Sequence, residues 1–158
     1  MKDFSISEVK FREMLLLGLC TFFCFTLSFL RIYYSGRFTY LFLSWNLFLA
    51  GIPWVISTVM RLKPVLYKRR WVAILLVSIW LVFFPNAPYI MTDLLHLSWK
   101  RDVPLWLDVI LVLSYIWTAL LYGFLSLFDM ETIFLSRLSP LKRYLVVSFL
   151  LFLSGFGI

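Results

Sequence analysis

Five stretches of this chain carry no charged residue: Met14 to Leu30, Phe38 to Met60, Trp71 to Thr92, Val109 to Phe128 and Tyr144 to Ile158. They constrain the fold more than anything else in it. A helix needs about 17 to 25 predominantly apolar residues to cross a bilayer, and the first four runs have that length. The fifth is cut off by the end of the chain, which leads to the expectation of a C-terminally truncated protein. Inside lipid every backbone amide and carbonyl must be satisfied within the protein, so runs of this kind fold as helices. The expected fold is therefore all-α, a polytopic transmembrane helix bundle. It forms one membrane domain over residues 1–158, with spans near 13–30, 38–60, 71–86, 108–128 and 140–158.

A soluble alternative fails on composition, because 63% of the residues are hydrophobic and 15% charged, against about 25% charged in soluble domains. The net charge of +7 does not point to nucleic acid, since the basic residues flank apolar runs and form no stripe on a polar face. Membrane orientation accounts for them. With the N-terminus inside, the inner segments hold eleven basic residues: Lys2, Lys10, Arg12, Arg61, Lys63, Lys68, Arg69, Arg70, Arg137, Lys142 and Arg143. The outer segments hold four, Arg31, Arg37, Lys100 and Arg101. That bias over short loops predicts a cytoplasmic N-terminus.

Residues Met1 to Glu13 read as a short amphipathic lead-in helix, and Arg31 to Arg37 as an aromatic, turn-rich interfacial loop. On the second span Asn46, Ala50, Pro53 and Ser57 share one narrow small-and-polar face that should look into the bundle, with a kink expected at Pro53. The polybasic loop Arg61 to Arg70 reads as a topology anchor, with anionic lipid recognition as the alternative. The fourth span carries Asp108, Val112, Tyr115, Ala119, Tyr122 and Ser126 on one stripe with Gly123 beside it, and Asp129 and Glu131 mark its inner boundary. Ser139 and Pro140 read as the cap and first residue of the fifth span. Cys20 and Cys24, four apart on one helix, are poorly placed for a disulfide and read as packing residues.

Special chemistry is expected between Phe83 and Asp108. Pro85 and Pro88 lack amide hydrogens, so the third span should break at its outer end, and irregular backbone at membrane depth survives only against protein or a wet cavity. Asn86, Tyr89, Asp93, His96 and Asp108 follow, and Asn46 is expected at a similar depth. These six form a candidate outward-facing polar pocket, in which Asn46 is expected to bridge to the segment Leu81 to Asn86. The structural alternative has Asp93 capping a short interfacial helix, His96 meeting headgroups and Asp108 at the favourable N-terminus of its span. The apolar segment Leu94 to Leu107 is expected along the membrane surface. With one histidine and no nucleotide, zinc or nucleophile motif, neither metal nor cofactor is expected.

The strings SWNLFLAGIPW (Ser44 to Trp54), FFPNAPYIMTDLLHL (Phe83 to Leu97), PLWLDVILVLSY (Pro104 to Tyr115), GFLSL (Gly123 to Leu127) and the final SGFGI resemble a bacterial integral membrane family, domain of unknown function 1361. The resemblance runs from Leu43 to the end. It implies a multi-pass membrane protein, usually longer at its C-terminus, with no established activity to carry over. The residues favour a non-enzymatic role, binding or moving a small solute or lipid through the outward-facing pocket. The alternatives are an accessory or scaffold bundle packing against a partner membrane protein or a second copy, and then a membrane enzyme with an extracytoplasmic site. The bilayer is the expected surrounding in each case, and nucleic acid is not an expected partner.

Overall fold

The computed structural model describes residues 2–96, 104–136 and 138–156, and all regular structure among them is helical. The elements are α1 (Lys2–Ser35), α2 (Leu41–Leu62), a short α3 (Pro64–Lys68), α4 (Arg70–Phe83), α5 (Asn86–Tyr89), a 3-10 helix (Ile90–His96), α6 (Leu105–Met130) continued by a π turn (Glu131–Leu135), and α7 (Pro140–Phe156). Among the described residues four stretches are long and apolar enough to cross a membrane: Ile6–Ser35, Leu41–Leu62, Arg70–Leu95 and Leu105–Leu135. The helix α7 has 17 residues and is not among them.

The first helix is longer than expected at both ends. It contains the charged lead-in and runs through Arg31, because Lys10 and Arg31 find carboxylate partners on α6 and have no need to reach water. It stops where Gly36 takes a φ of 64° and donates its amide to the Ile32 carbonyl at 2.8 Å. This is the single-bond left-handed cap that glycine adopts at no steric cost. Residues 31–35 are therefore helix, not loop. The fourth helix likewise runs past its expected inner boundary, since Asp129 is neutralised within the bundle.

Proline interrupts these helices little. α2 passes through the buried Pro53 as one element. Between α4 and α5, Phe84 and Pro85 keep right-handed helical dihedrals, and Phe84 still donates to the Trp80 carbonyl at 2.8 Å. Pro85 and Pro88 stand at the cap and in the first turn of α5, where amide hydrogens have no intrahelical acceptor in any case. Residues 70–95 thus make one candidate crossing with a two-residue lapse.

The helices α2 and α6 form the central pair, α1 packs along both, and α4 and α5 pack on their other side. The small faces read from the sequence are used here: Ala50, Pro53 and Ser57 of α2 and Ala119 and Gly123 of α6 are all buried. At Gly123 an added Cβ would stand 2.8 Å from the Ala87 Cβ, so α6 and α5 meet at a distance only glycine allows. The exposure pattern is inverted relative to a soluble bundle. Phe22 is 72% exposed and Trp117 66%, while Lys10 is 1% and Asp129 0% exposed, as a bundle surrounded by lipid requires.

Candidate functional site

The polar side chains of α1 and of α6 lie on stripes of helical spacing that face one another, and α2 adds Ser44, Ser57 and Arg61, so the three helices meet along a column of polar contacts. At the end nearest the basic loop, the Asp129 carboxylate accepts from Lys10 Nζ at 2.5 Å, Arg61 Nη1 at 2.5 Å and Ser57 Oγ at 3.1 Å. Lys10 also donates to Glu13 at 2.5 Å, so two cations and two carboxylates balance. One turn higher on α6, Ser126 accepts from the Trp80 indole at 2.5 Å, tying in α4.

Midway, Thr21 and Tyr122 meet at 3.1 Å and Cys24 and Thr118 at 3.3 Å. The Tyr115 hydroxyl lies 2.8 Å from Ser28 and 3.0 Å from Ser44, joining α1, α2 and α6 at one atom. At the far end Arg31 Nε donates to Asp108 at 3.0 Å, Tyr40 donates to the same carboxylate at 3.4 Å, and the guanidinium lies over the Tyr40 ring at 4.6 Å. Each rung crosses between helices, and hydrogen bonds of this kind contribute on average about 0.6 kcal/mol in membranes. The column holds three helices in register.

A second polar contact joins α2 to the 3-10 segment. Asn46 Nδ2 donates to Asp93 Oδ2 at 3.0 Å, and Asp93 is 3% exposed. The 3-10 segment carries Asp93 to this depth because α5 is pinned on α6 at Ala87 and Gly123, one turn earlier in the chain.

The expected pocket residues divide between these places. Asn46 and Asp93 meet. Asp108 is buried in the α1–α2–α6 seam with Arg31 and Tyr40 as partners, which accounts for its charge structurally. Asn86 turns back to donate to the Phe83 carbonyl at 2.9 Å. Tyr89 is half-exposed, and its carbonyl accepts from Thr92 at 2.8 Å. His96 closes the 3-10 helix, and its side chain lies outside the described residues, as do residues 97–103 of the expected surface segment Leu94 to Leu107. The expected bridge from Asn46 to Leu81–Asn86 is replaced by the bond to Asp93. The reason is local: the Phe84 carbonyl already accepts from Ala87, and the Asn86 amide is occupied at Phe83. Among the described residues no group of three or more His, Cys, Asp or Glu is gathered to hold a metal.

A family described as "Protein of unknown function (DUF1361)" matches residues 45–158, which is most of the chain. The protein is a DUF1361 member. No curated protein and no solved structure matches it. The DUF1361 match begins four residues into α2 and takes in Asn46, Asp93, Asp108 and Asp129, while α1 precedes it.

Sequence reasoning missed the seam. It assigned Lys10, Arg31 and Arg61 to membrane orientation and Asp129 to a boundary, whereas in this DUF1361 chain they are buried or partly buried ion-pair partners. A signal was present on α1, where Lys10, Leu17, Thr21, Cys24, Ser28 and Arg31 follow at steps of seven, four, three, four and three.

Proposed function

We propose that this chain is a non-enzymatic, five-span protein of the bacterial inner membrane with a cytoplasmic N-terminus. In this reading it binds or moves a small solute or lipid headgroup through the outer end of the bundle. The observation that carries the proposal is the Asn46–Asp93 pair. An ionisable side chain at membrane depth is costly and marks a functional site by default, and Asp93 is 3% exposed on a segment with no long α-helix of its own. A carboxylate with an amide beside it accepts hydrogen bonds, so the fitting ligand presents amine or hydroxyl donors.

Other features support the same reading. α7 packs on α5, and its Val146 and Leu150 line one groove with Leu81 of α4 while Leu151 and Ser154 line another with Ala87 and Met91, which supports a fifth crossing. The two-residue lapse at Phe84–Pro85, just before the segment that bears Asp93, supports an outer break of the third span. Lys63, Lys68, Arg69, Arg70 and Lys142 stand exposed at the Asp129 end, as a cytoplasmic face requires. The scaffold reading loses support because the small-residue faces it would present to a partner are already packed inside the chain.

Mass spectrometry of the detergent-purified protein tests the proposal. At least one co-purifying solute or lipid species is expected with the wild type and lost from Asp93→Asn, whose melting temperature should stay close to the wild type. A set of co-purifying species that is the same in both proteins refutes it.

A further inference from the structure

At the opposite end of the bundle, α4, α6 with its π turn, and α7 enclose an apolar groove of about 430 Å³, within the size range of small-molecule sites. Its walls include Ala73, Val77 and Leu81 of α4, Phe134 of the π turn, and Val146 and Leu150 of α7. From Ala73 to Leu81 the groove follows the α4 axis for about 12 Å, close to the roughly 15 Å of hydrocarbon in one leaflet. It therefore has the depth of an acyl chain and does not extend across the membrane.

Three features of the mouth define what the chain is attached to. Arg69 and Arg70 are exposed and lie one turn before Ala73 on α4, and Lys142 is exposed one turn before Val146 on α7. The N-termini of α4 and α7 both open at this end, and neither carries an acidic residue in its first turn, so the positive ends of two helix dipoles add to the basic side chains. The single acidic lining residue, Glu131, accepts a hydrogen bond from Arg143 and is neutralised by it. The π turn that follows α6 widens the helix where Phe134 and Leu135 face the groove, a distortion that recurs at functional sites.

We infer that this groove is a specific site for one anionic glycerophospholipid of the leaflet at the basic end. One acyl chain lies between α4 and α7, and the phosphate is met by Arg69, Arg70 and Lys142. The site is separate from the Asn46–Asp93 pair and does not depend on it.

The test compares retention of phosphatidylglycerol and phosphatidylcholine by the purified, delipidated protein in native mass spectrometry. Wild type is expected to prefer phosphatidylglycerol by about 150-fold, about fivefold from each of Arg69, Arg70 and Lys142. The double variant Arg69→Gln/Arg70→Gln should lower the preference about thirtyfold, to the roughly fivefold that Lys142 supplies. Ile74→Trp, which places a large ring at an exposed groove position, should reduce retention of both lipids; both variants alter exposed residues and leave the core intact. Equal retention of the two lipids by wild type overturns the inference. So does undiminished phosphatidylglycerol binding by Ile74→Trp, or a change by Ile74→Trp in oligomeric state alone.

Discussion

Asp129→Ala is expected to destabilise the protein by about 3 to 5 kcal/mol, the cost of breaking a buried ion pair from one side. The carboxylate is fully buried and accepts two bonds from charged donors at 2.5 Å and one from Ser57 at 3.1 Å. Hydrogen bonds to a charged group are each worth about 1.5 to 3 kcal/mol, so removing all three would cost about 4.5 to 9 if they added. Two features bring the value to the low end of that range or below it. The Arg61 side chain is 16% exposed and can turn toward water, and Lys10 keeps Glu13 at 2.5 Å. Unfolding in mixed micelles with increasing SDS, followed by tryptophan fluorescence, measures the loss. A cycle with Lys10→Met then separates the pair from the packing. Once Asp129 is gone, Lys10→Met should cost less than it does in the wild type, with a coupling of about 1 kcal/mol or more. An Asp129→Ala loss below about 1 kcal/mol, or a cycle that closes without coupling, would show that the cluster is solvated in the membrane and that the burial argument is wrong.

Gly123→Ala should cost about 1 to 3 kcal/mol in the same assay, because its Cβ would stand 2.8 Å from that of Ala87 and two helix backbones must part. Adding Ala87→Gly should restore most of it, and an unaffected single variant would contradict the close crossing. At the other end of the seam, Arg31→Asp and Asp108→Arg should each destabilise by several kcal/mol, while the double exchange recovers part of the loss; no recovery would deny the pair. Asn46→Leu should cost about 0.6 to 2 kcal/mol in wild type but much less beside Asp93→Leu, since the two share one bond. For orientation, a cysteine replacing Lys100 should react with an impermeant reagent in intact cells and one replacing Lys68 should not. The reverse pattern would invert the protein in the membrane.

The helical class, the candidate crossings and the inward small faces of α2 and α6 follow from the sequence alone. Each depends on composition and spacing within one segment: apolar runs of spanning length must close their own hydrogen bonds, and Ala50, Pro53 and Ser57 fall on one side of any helix they form. The family was legible for the same reason, as a set of strings in a fixed order. What the spacing left undetermined was which charge meets which. Lys10 and Asp129 are 119 residues apart, and Arg31 and Asp108 are 77 apart. Charged residues at the ends of apolar runs obey the orientation rule equally well whether they reach water or a carboxylate inside the bundle. Asn46 shows the limit most closely. Its place on the small-and-polar face of α2 was readable, but its partner was decided by the contact of Gly123 with Ala87, which sets the 3-10 segment against α2 and brings Asp93 within 3.0 Å. Pairing across the bundle depends on how near two backbones can approach, and that is a property of the packed helices together.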